Sequence, residues 1–261
     1  MNIAIIGYGK MGRMIEQIAR ESGHTIAAIV DPAAGGGVLP NGTRIDKSIA
    51  EAENLDGADA AIEFTQPGTA AANIKALAGK RIPTVTGTTG WYDKMDEVTR
   101  AVEVAESALL WSSNFSMGVN IFYRIAWYAS TLADAFPEFD VGGFEAHHNK
   151  KLDSPSGTAK TLVEGVLSRV DRKHKAVWET LNRRPDPAEL HFSSLRIGSM
   201  PGTHSLFFDS PADTIEITHT ARSREGFASG ALRAAQWLAG PPGRRRGVFT
   251  IDEMLKDILG I

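Results

Sequence analysis

The chemistry of this chain is densest between residues 145 and 160, EAHHNKKLDSPSGTAK. Histidine titrates nearest neutrality, so His147 or His148 is the natural general acid for a reaction that needs a proton. Lys151, three or four residues on, can hold a carboxylate or stabilise developing negative charge. Ser156, Gly157 and Thr158 stand where a helical run, residues 159–167, begins. The first N–H groups of a helix have no partner within it, and with the positive end of the helix dipole they suit an anion. Ser156 and Thr158 add hydroxyls to those N–H groups. Asp153 and Pro155 are expected to shape the turn, and Lys150 to face solvent. A metal is not expected: adjacent residues on a strand point to opposite faces, and no carboxylate-rich cluster accompanies the two histidines. The stretch outlines a site for an acidic small molecule.

A proton donor implies a partner reaction, and the opening of the chain offers one. Residues 1–6 form an apolar, isoleucine-rich run that suits a central parallel strand. Gly7, Gly9 and Gly12 follow at G-x-G-x-x-G spacing, and Met11, Met14, Ile15, Ile18 and Ala19 then recur at helical intervals. Another apolar run, residues 25–30, ends in Asp31, about 20 residues beyond the glycines, where a dinucleotide-binding unit keeps its ribose ligand. In that arrangement Gly7 permits the tight turn, Gly9 lets backbone approach a pyrophosphate, and Gly12 lets helix and strand pack closely. Asp31 accepts from both ribose hydroxyls and repels a 2′-phosphate. Pro32 follows it in place of an arginine, and Lys10 partly offsets its charge, so NADH is favoured with NADPH tolerated.

Strand and helix continue to alternate: strands at 59–64, 82–86 and 108–111, helices at 69–78 and 93–106. This implies a parallel sheet with right-handed crossovers, whose ligands bind beyond the carboxyl ends of the strands. The loops Gly87-Thr88-Thr89-Gly90 and Ser112-Ser113-Asn114-Phe115 fall at such ends, where they could meet a nicotinamide. From Ser116 the pattern changes. A helix at 118–135, a strand at 140–145, a charged connection at 172–190 and strands at 192–197, 203–208 and 214–220 indicate a second domain with an antiparallel or mixed sheet. Helices at 227–238 and 250–259, the latter opened by a Thr250–Glu253 capping box, return to cover the first sheet. The Arg244-Arg245-Arg246 run is expected to be a solvated loop.

The composition narrows the function classes. At 261 residues, with 43% hydrophobic and 23% charged side chains, the chain suits a soluble enzyme of one large or two small domains. A net charge of −3 gives no reason to expect nucleic acid or an anionic membrane as partner. Without cysteine there is no disulfide, thiolate site or thiol nucleophile. The first apolar run is too short for a signal or a membrane span, and no later stretch reaches about 18 apolar residues, so a cytoplasmic protein is expected.

The pattern His147-His148-x-x-Lys151-x-Asp153-x-Pro155-Ser156-Gly157-Thr158-Ala159 resembles the signature of the dihydrodipicolinate reductase family of bacterial lysine biosynthesis. The resemblance extends over GYGKMG at the start, Phe64-Thr65-x-Pro67, Gly87-Thr88-Thr89-Gly90, Asn114-Phe115-Ser116-x-Gly118, Glu216-Ile217-Thr218-His219, and Ser223-Arg224 with Phe227-Ala228. It implies an α/β protein with a Rossmann-type domain, residues 1–114 and 224–261, and an α+β domain with a mixed sheet, residues 115–223, for substrate and tetramer contacts. It also implies hinges about 113–116 and 223–225, and NAD(P)H-dependent reduction of 4-hydroxy-tetrahydrodipicolinate to tetrahydrodipicolinate. By carry-over His147 is the proton donor and acceptor, Lys151 a proton donor, and His148, Gly157 and Thr158, with Ser156, hold the substrate carboxylates. The cofactor residues would be Gly7, Tyr8, Gly9, Lys10, Met11, Gly12, Asp31, Gly87, Thr88, Thr89, Ser112, Ser113, Asn114 and Phe115. Gln66 replaces an arginine common in the family, and the connection at 179–190 lacks a Gly-rich pattern often seen there. The rivals are another two-domain NAD(P) oxidoreductase, disfavoured in its thioester-forming kind by the missing cysteine, and a dinucleotide-binding regulator without turnover.

Overall fold

Asn2–Ile6 forms the first strand, β1, and its Ile3, Ala4 and Ile5 have no exposed surface. A strand covered on both faces must be apolar throughout, which is the condition of an interior parallel strand. The computed structural model describes residues 1–240 and 245–260. In chain order β1 is followed by α1 (Lys10–Glu21), β2 (Thr25–Val30), β3 (Ile45–Asp46), β4 (Ala60–Glu63), α2 (Pro67–Gly79), β5 (Thr84–Thr86), α3 (Met95–Val104) and β6 (Ala108–Trp111). Next come α4 (Met117–Asp134), β7 (Asp140–His147), α5 (Gly157–Leu167), β8 (Lys175–Val177), β9 (Glu189–Arg196), β10 (Thr203–Asp209) and β11 (Thr214–Thr220). The chain closes with α6 (Glu225–Ala239), β12 (Gly247–Thr250) and α7 (Ile251–Leu259). It divides into two units, Met1–Ser116 with Glu225–Ile261, and Met117–Arg224.

The sheet of the first unit is parallel throughout, in the order β12-β6-β5-β4-β1-β2-β3. From β1 the chain winds outward to β2 and β3, then restarts on the other side with β4, so the order reverses between β1 and β4. Ligands of such sheets bind outside the strand carboxyl ends at that reversal. Residue 7 leaves β1 and residue 64 leaves β4 at this point. Helix α6 packs on α1 and on β4, β5 and β6 through buried Ala231, Ala234, Ala235 and Leu238, small residues that allow close approach.

The sheet of the second unit is mixed, in the order β11-β10-β7-β9-β8. β7 runs parallel to β9 and antiparallel to β10, and β11 is an edge. Phe122, Tyr123 and Ala126 of α4 and Leu162, Val163 and Val166 of α5 bury against Leu190, Phe192, Leu206 and Phe208 of the strands. A Cβ on Gly165 would lie 2.0 Å from Trp127 Nε1, so α4 and α5 meet only because residue 165 lacks one. The outer face of α4 leaves Ile121, Ile125, Tyr128 and Leu132 exposed at helical spacing. Among the described residues no helix is long and apolar enough to cross a membrane.

Three strands were absent from the sequence expectation. β3 and β12 have two and four residues, and β8 lies inside the charged connection with three. Runs so short carry no periodicity, and pairing with a neighbour is what makes them strands. The connection is pinned by Arg183, which grips Glu189 with two bonds of 2.8 and 2.7 Å. The arginine run also departs from expectation. Arg245 is not a solvated side chain: it stacks 3.9 Å over the Trp237 ring and pairs with Asp257 at 2.7 Å. Arg246 pairs with Glu106 at 3.1 Å, and Arg244 lies outside the described residues.

The capping box is formed in full: Glu253 N–H donates to Thr250 Oγ1 at 3.4 Å, and Thr250 N–H to Glu253 Oε2 at 2.7 Å. Thr250→Ala should remove about 1 kcal/mol. Scanning calorimetry should then show a Tm lower by about 2–4 °C, and an unchanged Tm would mean that the α7 start is held by its buried Met254 and Leu255 alone.

Candidate active site

The first unit presents an anion cradle at the end of β1. Gly7 has φ +93, and a Cβ there would lie 2.1 Å from the Phe64 carbonyl oxygen, so only glycine makes this turn beside β4. A Cβ on Gly12 would fall 2.0 Å from the Gly7 oxygen, whereas nothing lies within 4 Å of one on Gly9. Backbone at Gly9 therefore faces open space at the start of α1, which has no side-chain cap. That donor-lined opening fits a dinucleotide pyrophosphate. Lys10 is exposed at its rim and Met11 half-buried.

Tyr8 turns inward. Its hydroxyl donates to Glu16 in the interior, and burial, with that bond, pushes the phenol up to about 12. Its backbone N–H donates to Asp31 Oδ2 at 2.6 Å, while Ala33 and Ala34 donate to Oδ1 at 2.8 and 3.1 Å. Burial would raise the Asp31 pKa, but these donors outweigh it and hold the carboxyl below its ordinary value. Asp31 thus ties the glycine turn to the end of β2, and three of its roughly four lone-pair sites are already used. Arg13, which the sequence reading passed over, is exposed beside this turn: its guanidinium sits 5.5 Å from the Tyr8 ring and its charge bears on Asp31.

The two loops expected at the nicotinamide divide into framework and surface. Thr88 is buried, with its hydroxyl accepting from Thr65 N–H at 2.8 Å and its carbonyl from the Trp91 indole at 2.8 Å. A Cβ on Gly87 would collide with the Phe64 ring at 2.1 Å. Phe115 is buried against Phe64, and the Ser112 hydroxyl bonds to the Asn114 backbone. Thr89, Gly90 and Ser113 are the exposed members. Glu63, at the end of β4, is fully buried and accepts from Thr65, Thr86 and Asn73.

In the second unit the central stretch begins as the end of β7. Glu145 and His147 are two residues apart on the strand and share a face. Strand register sets Ser194 of β9 and His204 of β10 opposite Glu145, His219 of β11 opposite His204, and Arg196 opposite His147. Glu145 has no exposed surface. Its Oε1 accepts from Ser156 N–H at 3.1 Å, the Ser194 hydroxyl at 2.9 Å and Arg196 at 3.0 Å. Its Oε2 has no aligned hydrogen bond, yet lies 3.3 Å from His147 Nε2 and 3.4 Å from His204 Nε2. The two Nε2 atoms are themselves 3.4 Å apart. Burial would raise the Glu145 pKa, but the His204, Ser156, Ser194 and Arg196 contacts hold the carboxyl far below the usual range. Burial pushes the His147 imidazole down to about 4; Glu145 opposes that, and His204, Lys151 and Arg196 reinforce it.

Not every residue of the stretch faces outward as expected. Ser156 is buried: its N–H is taken by Glu145, and its hydroxyl caps α5 through Ala159 N–H at 3.1 Å and meets His204 Nε2 at 3.2 Å. This corrects the expectation that Ser156 offers both groups to an anion; it joins the acid cluster to the helix start instead. Gly157 is exposed and Thr158 half-buried at the first turn of α5. Asp153 bonds its own backbone, as expected of a turn-shaping residue, and also takes Lys151 Nζ at 2.8 Å. His148 has a buried Nδ1 without a hydrogen-bond partner among the described residues.

His204 is the member sequence reasoning missed. Glu145, His147 and His204 bring three ligand-type atoms, one of them a carboxylate oxygen, within 4.8 Å of one another. The second imidazole of the cluster is His204, not His148. Arg196 already neutralises this carboxylate, and His204 Nδ1 is buried without a partner among the described residues, whereas a ligating imidazole normally donates through its other nitrogen. The arrangement suits a shared proton better than a cation. In the sequence it is one polar residue among others, second in the strand Thr203–Asp209, with nothing local to link it to residues 145–160.

Comparison with known proteins places these two units in context. The family model Dihydrodipicolinate reductase, N-terminus matches residues 1–115, and Dihydrodipicolinate reductase, C-terminus matches residues 118–255, running past Arg224 into the returning helices. The chain is 37% identical over 258 residues to the 4-hydroxy-tetrahydrodipicolinate reductase of Christiangramia forsetii, covering 99% of each. It is 34% identical over 269 residues to that of Chromobacterium violaceum, covering 97% of this chain and 98% of the relative. Its fold is similar to the solved dipicolinate-bound dihydrodipicolinate reductase from Paenisporosarcina sp. TG-14, with a TM-score of 0.76 at 18% identity over 96% and 97% of the two chains. An amine dehydrogenase from Mycobacterium smegmatis follows at a TM-score of 0.59 and 11% identity over 96% and 95%.

Between the ordinary histidine value of 6.5 and about 4, the unfolded chain binds a proton at residue 147 that the folded chain refuses. The unfolded state then holds more protons, so stability falls as pH falls through this window. Thermal scans from about pH 7 to about pH 4 should show a shallower loss of Tm for His147→Gln than for the unaltered chain. Equal slopes would mean that another group carries the acid sensitivity.

Proposed function

The chain belongs to the dihydrodipicolinate reductase family, and from that premise we propose that it reduces 4-hydroxy-tetrahydrodipicolinate to tetrahydrodipicolinate with NAD(P)H in the diaminopimelate and lysine pathway, in the cytoplasm. The observation that carries the reading is the pairing of two devices in one chain. One is the glycine turn with open space over Gly9; the other is a buried acid cluster that runs into a helix start. Bound at the first, the nicotinamide would supply a hydride. The second then has to match that hydride with a proton and hold a cyclic dicarboxylate.

In this reading His147 gives the proton. An imidazole held down to about 4 is neutral in the ligand-free chain. A dianionic substrate raises its proton affinity, so the acid is charged only when there is something to protonate. Lys151, held by Asp153 in the ligand-free chain, exchanges that partner for a substrate carboxylate. His148, whose Nδ1 has no partner among the described residues, and the N–H groups of Gly157 and Thr158 take the carboxylates. On the cofactor side Asp31 has about one acceptor site left for the ribose. Its retained charge disfavours a 2′-phosphate, while Arg13 and Lys10 offset it, which supports NADH as preferred with NADPH accepted.

We also propose a homotetramer. The exposed Ile121, Ile125, Tyr128 and Leu132 stripe on α4 supports self-association, because apolar side chains at helical spacing gain by burial.

Oxidation of NADH and NADPH, coupled to the enzyme that forms the cyclic dicarboxylate, should show turnover, faster with NADH. No turnover with either cofactor would sink the reading. His147→Gln and Lys151→Ala should each lower kcat by about 10²-fold or more while cofactor binding is retained; an unchanged kcat would mean the acid is misassigned. Light scattering should give the mass of four chains, and Ile125→Glu with Tyr128→Glu a smaller one. A monomeric unaltered chain would remove the tetramer.

A further inference from the structure

The carboxylate of Glu145 has two ends with different duties. Oε1 is saturated by Ser156 N–H, the Ser194 hydroxyl and Arg196. Three donors from α5 and β9 fix the plane of the group, so Oε2 has one direction in which to point. It points between two imidazoles, 3.3 Å from His147 Nε2 and 3.4 Å from His204 Nε2. On its other edge the His147 ring meets Gly202, where φ is +135 and a Cβ would come within 2.9 Å of Cε1 and 3.1 Å of Nδ1. The ring is thus confined between a bare glycine and a buried charge.

We propose that Glu145 is the positioning residue for His147, and that His204 is its rival for the same carboxylate oxygen, so that two imidazoles draw on one negative charge. The proposal rests on His147 being the proton donor. At 3.4 Å positive charge on one ring opposes positive charge on the other, and both face the same single carboxylate oxygen. Glu145 fixes where the His147 ring points and favours its protonation; His204 restrains it. The groups facing this pair are Glu145 on β7, Arg196 on β9, His204 on β10 with His219 across from it on β11, Lys151 in the loop, and the uncharged Ser156 at the start of α5. Arg196 and Lys151 add positive charge in every variant below, so the two substitutions differ only in which side of the balance they remove.

The experiment is a titration of His147 in the full-length, ligand-free protein, followed by imidazole ¹⁵N shifts. Glu145→Gln should move the His147 titration to lower pH, and His204→Gln should move it to higher pH. The kcat profile should follow, its alkaline limb shifting in the same two directions. With Glu145→Gln, kcat should fall about tenfold or more while KM for the dinucleotide is unchanged, and Glu145→Asp should recover part of the loss. A general loosening of the fold would not drive two variants in opposite senses. If both leave the titration in place, or move it the same way, the proposal is overturned. If Glu145→Gln does not fold, His204→Gln decides alone: a shift upward supports the proposal, and no shift or a downward one ends it. Opposite shifts in a protein that fails to reduce the cyclic dicarboxylate would uphold the positioning and remove the proposed function, so the two readings fail separately.

Discussion

The buried carboxylate of Glu145 is the interaction on which the second unit depends. An ionised group with no exposed surface persists only if every partner is in place, and taking one partner from a buried pair costs about 3–5 kcal/mol. Here the partners come from four places: Ser194 and Arg196 on β9, His204 on β10, His147 on β7 itself and Ser156 at the start of α5. One charge therefore sets the register of three strands and the docking of a helix. Arg196 also bonds the Asp153 carbonyl at 2.6 Å, so the same network holds the loop that carries Lys151. Fold and candidate site are one set of contacts.

The first unit is governed by steric limits instead of charge. The turn after β1 passes so close to the end of β4, and α1 so close to that turn, that Gly7 and Gly12 have no room for a Cβ. Gly9 has room, and the space above it is what a ligand would use. Asp31 anchors this turn from the end of β2 through the Tyr8 N–H. A residue read as a ribose acceptor is thus also part of the framework, with less capacity to spare than its carboxylate suggests. Thr88, Ser112 and Phe115 repeat the lesson: polar or aromatic residues in a loop at a strand end are largely occupied in making the loop.

Periodicity and turn chemistry were sufficient for much of this. Alternating strands and helices announced the parallel sheet, the box at Thr250–Glu253 announced α7, and the change after Ser116 announced a second sheet of mixed direction. β3, β8 and β12 were not legible, because two to four residues hold no period and only a partner strand makes them strands. Arg245 read as solvent-facing because its Trp237 and Asp257 partners cannot be inferred from its neighbours in sequence.

By itself the sequence determined the dinucleotide turn and the grouping of His147, His148, Lys151 and the Ser-Gly-Thr helix start, since these are local patterns whose chemistry follows from residue type and spacing. Tertiary structure decided which of those groups remain available. Register across β9, β7 and β10 brought His204, 57 residues away, to the same carboxylate as His147. It also turned Ser156 inward and left His148 Nδ1 without a partner among the described residues. A one-residue change of register would have put His204 on the opposite face, and no feature local to residues 145–160 specifies the register of a strand that begins at Thr203.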